Sequence, residues 1–249
     1  MNRRDMLKAS GAGLAMAALM GQNAFAQTTA SAKGEKKKIF VIGAHPDDPE
    51  GTCGGTMARL VREGHDVAAV YMTRGERGIL GATNEEAARI RTAEAIKACG
   101  VIGCRYIFLS QIDGSGEITP KRYAEFIDLM NREKPDIVIT HWPMDVHRDH
   151  AICATLTLDA WDRCEKRFDL FYCEVEAGEQ SKSFVSNVLV DISDVQDIKK
   201  NACYCHESQN VPSWYENYHA LMDRYYGLRL GVKAAEAFFR LDQNPTRAL

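Results

Sequence analysis

Apolar and polar positions follow two rhythms along this chain, and each change of rhythm marks an element. Ile39-Phe-Val-Ile-Gly43 is an unbroken apolar run, the pattern of a strand covered on both faces. Gly51 to Arg62 spaces its apolar residues as a helix does, and His65 to Met72 returns to a strand. The exchange then repeats. Asn84 to Ala98 reads as an amphipathic helix opened by Asn84 and stopped by Gly100. Arg105 to Leu109 reads as a strand, and Thr119 to Asn131 as a helix opened by Thr119-Pro120. Asp136 to Thr140 is a strand and Asp149 to Trp161 a helix. Phe168–Cys173 and Val185–Val190 are later strands, while Ser193–His206 and Met222–Phe239 read as helices. This alternation predicts an α/β fold, a parallel sheet with helices on both faces. No linker or repeat interrupts it, so residues 38–249 are predicted to form a single domain.

The chain begins differently. Arg3-Arg4 precedes a short run from Ala9 to Met20, rich in alanine and glycine, and then Ala24-Phe25-Ala26. A basic start, a modest apolar stretch and a small-x-small site describe a cleaved export signal, and the paired arginines point to the twin-arginine route. Residues 1–26 are therefore expected to be a signal peptide cut near Ala26, and residues 27–37 a flexible leader. The expected location is periplasmic. The apolar run is too short to span a bilayer comfortably, so no stable membrane anchor is expected.

Composition changes this picture little. Of 249 residues, 45% are hydrophobic and 26% charged, which is ordinary for a soluble domain. The net charge of −3 excludes nucleic acid as a main partner, since that requires a basic surface. Eight cysteines in an exported chain raise the question of disulfides. Their scattered spacing, among apolar neighbours, fits buried thiols instead.

The chemistry lies just after two strands. His45-Pro-Asp47-Asp48 follows the first, and His147-Arg-Asp149-His150 comes shortly after Asp136–Thr140. In open parallel sheets the functional loops lie outside the carboxyl ends of the strands, so the clusters can meet. His45, Asp48 and His150 form a three-ligand set for a divalent metal, two imidazoles and one carboxylate. Asp47 is surplus to that set and can serve as a general base toward water. His147, if protonated, can stabilise an oxyanion, and Asp149 can orient either His147 or His150. The other histidines, His65, His141, His206 and His219, read as surface or structural. Gly51-Thr-Cys-Gly54-Gly55 matches no nucleotide motif and reads as close backbone approach beneath the metal loop.

A longer series carries a resemblance. Ala44-His-Pro-Asp-Asp-Pro-Glu50, Gly54-Gly55-Thr56, Thr73-Arg-Gly-Glu76, Arg91-Thr-Ala-Glu94, Asp136 to His141, His147 to His150 and Lys200 to Gln209 occur in this order. Together they resemble the PIG-L/LmbE-like family of metal-dependent N-acetylglucosaminyl deacetylases, over about Lys38 to the end. The resemblance implies a Rossmann-like domain and a zinc cofactor, with Fe2+ as another divalent candidate. It implies a small-molecule or glycan substrate carrying an N-acetyl group. It places ligands on His45, Asp48 and His150, the base on Asp47, and the oxyanion-side pair on His147 and Asp149. It also implies that Arg91 and Asp113 contact substrate. Arg148 stands where the family usually has proline. Other readings of the same residues are an amidase acting on a non-sugar or thiol-conjugate amide, a non-haem iron oxygenase using the same triad, and a glycan-binding protein without catalysis.

Overall fold

Successive residues of the first strands enter opposite cores. The structure, a computed structural model, describes residues 35–241. In β1 (Lys38–Gly43), Ile39 and Val41 join the core on one side of the sheet, and Phe40 and Ile42 join the core on the other. β2 (Asp66–Tyr71) does the same, with Val67, Ala69 and Tyr71 opposed to Ala68 and Val70. Burial on both faces is why these strands read as continuous apolar runs. Fully burying Phe40 or Ile42 contributes roughly 1.5–3 kcal/mol apiece.

The helices divide between the two faces. α1 (Asp48–Arg62), α2 (Asn84–Ile102) and α5 (Gln196–Cys203) cover the face holding Val41 and Tyr71. α3 (Pro120–Glu133) and α4 (Arg148–Arg163) cover the face holding Phe40 and Val70. Thr83 and Thr119 cap α2 and α3, accepting the N–H of Glu86 and of Arg122 through their hydroxyls. No helix among the described residues is long and apolar enough to cross a membrane. The export signal expected in residues 1–26 lies outside the described residues, as does all but the end of the leader.

The seven strands run in the order β3-β2-β1-β4-β5-β7-β6, where β3 is Arg105–Phe108, β4 Ile137–His141, β5 Asp169–Cys173, β6 Val188–Asp191 and β7 Ala235–Arg240. The first five are parallel. β7 is antiparallel to both β5 and β6, so the sheet is mostly rather than wholly parallel. This corrects the helix expected over Met222–Phe239. α6 (Val211–Trp214) leads through a π-helical turn, Tyr215–His219, into α7 (Ala220–Leu230), which closes on Gly231 at φ 78°. The chain then turns back as β7. Glu236 disguises that strand in the sequence: a charged residue at its second position, it is buried with Lys199 Nζ 2.8 Å away.

β1 has β2 on one side and β4 on the other, so the winding reverses between β1 and β4. Such a switch point opens a crevice at the carboxyl ends of the strands. The segment His45–Asp47 leaves β1 there, and Trp142–His147 leaves β4. Gly43 is required for the first turn, because a Cβ on it would lie 2.6 Å from Asp48 Cβ. The other glycines do less for the loop than expected. Gly55 lets Ile192 approach α1, and Gly54 admits Lys199.

Candidate metal centre and catalytic cleft

α1 starts with strain at its mouth. Asp47 is its N-cap residue, held at φ 109° with no side-chain capping bond. Non-glycine residues in such a conformation cluster at functional sites, where surrounding contacts hold them. Here the strain turns the Asp47 carboxylate toward Arg91, whose Nη2 donates to Asp47 Oδ2 at 2.9 Å and also to Pro46 O. Arg91 is buried, and room for it comes from the Thr73–Gly78 loop: a Cβ on Gly75 or Gly78 would lie 2.5 or 2.2 Å from Arg91 Nη1. Arg91 therefore belongs to the site. It is not a surface partner of Glu94, which accepts bonds from Ser208 instead.

Asp48, one residue on, faces three histidines. Its Oδ2 accepts the His45 backbone N–H at 2.7 Å and lies 3.3 Å from His45 Nδ1 and 3.2 Å from His141 Nε2. Its Oδ1 lies 3.4 Å from His150 Nε2. The other nitrogen of His45 meets Asp113 Oδ1 at 3.2 Å and Asp149 Oδ2 at 3.4 Å. His147 and His150 stack at 4.4 Å, and His45 meets the His147 edge at 4.7 Å. The two distant sequence clusters are thus one cluster in space.

The proposed triad His45, Asp48 and His150 meets pairwise through Asp48. The sets whose donor atoms converge within 4.8 Å are His45, His147 and His150; Asp48, His141 and His150; and His45, Asp113 and Asp149. His45 and His150 each belong to two of them. Asp47 belongs to none. The cluster fits a divalent cation: His45, Asp48 and His150 all belong to convergent imidazole and carboxylate sets, and around them His147 Nδ1 and Asp149 Oδ1 are buried without a hydrogen-bond partner. Buried imidazole and carboxylate donors left this way are what a metal satisfies.

Electrostatics separate the groups. Burial disfavours charge on His150, but Asp48 and Asp145 outweigh it and lift its pKa to about 9. Burial likewise lowers His45, and Asp113, Asp149 and Asp48 carry it well above the usual value. His141 falls to about 4 under burial and the His150 charge. Burial raises Asp48, yet His150 and His141 hold it well below the carboxylate range. Asp47 is raised, chiefly by burial, with the Arg91 charge opposing. His147 is lowered by burial and by the charges of His150 and His45. Both effects act against the imidazolium expected there.

Two expectations change in detail. Asp149 pairs with His45 and accepts the Gly114 N–H at 2.7 Å. Asp145 lies 3.3 Å from His150 Nδ1. It is also anchored, accepting the His147 N–H at 2.7 Å and the Ser181 hydroxyl at 3.0 Å. His141, read as structural, sits inside the cluster and accepts the Ala44 N–H at 2.9 Å. Its place as the last residue of β4 was the available signal. Asp145 had only its nearness to His147. Asp113 does reach the site, through His45 and through the Arg77 N–H at 3.1 Å.

The cluster floors a cleft of about 350 Å³, within the range of small-molecule sites. Asp47, Arg91, Asp113 and His147 line it, and so do Arg77, Gln180, Gln209, Trp214 and His219.

Comparison with known proteins agrees with this geometry. The PIG-L family, GlcNAc-PI de-N-acetylase, matches residues 40–161, which holds every residue of the cluster. A diacetylchitobiose deacetylase of Thermococcus kodakarensis is 29% identical over 80% of this chain and 81% of its own. Further relatives also carry deacetylase names. The conserved protein TT1542 of Thermus thermophilus is 27% identical, with a TM-score of 0.73 over 86% of this chain and 100% of its own. The hydratase GalB of Pseudomonas putida superposes equally well, with a TM-score of 0.74 over 86% of this chain and 99% of its own. At 21% identity that likeness is one of fold. With the motif order, the switch-point cleft and these relatives in agreement, the chain belongs to the PIG-L family of metal-dependent deacetylases.

Proposed function

We propose that this chain is a zinc-dependent hydrolase that removes acetate from an N-acetylated amino sugar or its conjugate. The observation that carries the reading is the place of Asp47. It lines the cleft beside Asp48, stands outside every convergent donor set, and is aimed by Arg91. A metal-binding site alone has no use for such a carboxylate, and hydrolysis needs one.

His45, Asp48 and His150 are the residues we assign to the cation, with His141 and Asp145 behind them. A divalent cation there supplies Lewis acidity, polarising the amide carbonyl and making nearby water more acidic. Asp47 takes a proton from the attacking water and returns one to the amide nitrogen as the C–N bond breaks. Acetate and a free amine result. The Arg91 charge favours the ionised form of Asp47 against the effect of burial. His147, half-buried at the cleft, is placed to donate an N–H toward the oxygen that gains charge. Asp149 and Asp113 hold His45. Arg91 and Asp113, at the floor, also face the substrate. The Arg3-Arg4 start and Ala24-Phe25-Ala26 site support periplasmic action on such a substrate.

Acetate release decides the matter. Zinc-loaded protein is incubated with N,N'-diacetylchitobiose, and acetate and free amine are both counted. The two should appear in equal amounts, vanish with a chelator and return with zinc. No acetate from sugar substrates by metal-replete protein contradicts the proposal, and oxygen consumption with bound iron would replace it.

A further inference from the structure

Part of the cleft wall is built by a segment no motif covers. α6 ends at Trp214, and the π-helical turn Tyr215–His219 follows. Such turns are rare and frequent at functional sites. This one sets Trp214 and His219 side by side on the cleft, their rings 5.7 Å apart and nearly perpendicular at 88°. Trp214 is fixed twice. Its indole N–H donates to Gln209 O at 3.1 Å, and the ring edge abuts α1, where a Cβ on Gly51 would lie 3.3 Å from Cζ3. Gln209 is tied in turn to the Thr73–Gly78 loop, its Nε2 donating to Gly78 O at 3.1 Å. The indole remains half-buried, an aromatic surface held in place on the wall of a polar cleft.

We propose that Trp214 and His219 form a pyranose-recognition wall, the indole face receiving the sugar ring of the acetamido substrate and His219 a ring hydroxyl. The inference rests on the deacetylase reading and narrows it, favouring amino sugars over acyclic or thiol-conjugated amides. The physical basis is specific. A pyranose ring presents C–H bonds on one face, and these meet the negative face of an indole favourably. Its hydroxyls each donate and accept. His219 is buried, lines the cleft, and its ring makes no side-chain hydrogen bond among the described residues, so the ring is available. Burial, helped by the Lys199 charge, lowers its pKa to about 3. A neutral ring offers one N–H and one lone pair, which suits a hydroxyl. An acyclic amide offers neither a ring face nor this row of hydroxyls.

The test compares two substrates and two variants, all zinc-loaded. Trp214→Leu keeps an apolar filling without a π face, and Trp214→Phe restores a smaller one. For N,N'-diacetylchitobiose, Trp214→Leu should raise KM roughly tenfold with kcat nearly kept, and Trp214→Phe should recover most of the loss. For N-acetylethanolamine, an acyclic acetamide, neither variant should change KM appreciably. Titrating the sugar should also quench wild-type tryptophan fluorescence, and Trp214→Phe should abolish that signal. An unchanged KM for the sugar, or equal rises for both substrates, overturns the wall while leaving the deacetylase reading standing. Acetate from the acyclic amide alone in wild-type protein overturns the sugar reading itself. An unfolded Leu variant leaves the Phe variant and the fluorescence titration to decide, where an unaltered quench counts against the proposal.

Discussion

Replacing Arg91 with methionine probes the site at its most constrained point. Arg91 is 4% exposed, and its guanidinium bonds both Pro46 O and Asp47 Oδ2. Methionine removes both bonds while filling much of the space. A hydrogen bond to a charged group contributes about 1.5–3 kcal/mol, and breaking a buried pair costs about 3–5 kcal/mol. Asp47 keeps partial contact with water, its side chain 20% exposed, so the lower range applies. A loss of about 2–3 kcal/mol in transition-state stabilisation is roughly 30- to 150-fold in kcat/KM. The pH profile should move as well. Burial raises the Asp47 pKa and the Arg91 charge lowers it, so without Arg91 it rises further. Asp47 must be ionised to act, so the acidic limb should shift to higher pH. Gly78→Ala, whose Cβ meets Arg91 Nη1 at 2.2 Å, should shift the limb the same way with arginine still present. The assay is acetate release across pH with zinc saturating. An Arg91→Met enzyme with full kcat/KM, or with its acidic limb unmoved, refutes the coupling.

Other outcomes follow from the same geometry. His150→Ala should lose most bound metal in elemental analysis of folded protein, whereas His141→Ala should keep it; the reverse would reassign the ligand to β4. Lys199→Met should destabilise the fold by about 3–5 kcal/mol in urea unfolding, because it leaves Asp223 and Glu236 buried without the cation each now meets at 2.8 Å; a stability change under about 1 kcal/mol would contradict that. N-terminal sequencing of exported protein should begin near Gln27, and finding only uncleaved cytoplasmic chain would count against the export signal.

The legible parts of this molecule were those whose chemistry is local. His45, Asp47 and Asp48 sit at the end of an apolar strand, so the motif and its place in the sheet could be read together. The pairing of that loop with His150 followed from strand order, since both segments leave carboxyl ends. Arg91 could not be placed by periodicity, because from the sequence a buried arginine on α2 looks like a surface ion pair with Glu94. Only the glycines of another loop make its burial sterically allowed. β7 was hidden because Glu236 is charged yet buried, its partner Lys199 lying 37 positions earlier in the chain. Asp145 and His141 are not legible because their roles depend on side-chain rotamers rather than spacing: Asp145 meets His150 Nδ1, and His141 meets Asp48. Trp214 and His219 depend on a π-helical turn, for which no sequence signal was visible.

The most direct test of the account is Asp47→Asn, with metal content and acetate release measured on the same folded sample. Asparagine preserves the size of the side chain and can remain beside Arg91, but it cannot take a proton. The account predicts wild-type zinc stoichiometry together with a fall in turnover of about 100- to 10,000-fold. Near-normal acetate release from that variant would contradict it, because the carboxylate that Arg91 holds beside the donor sets would then have no part in the chemistry.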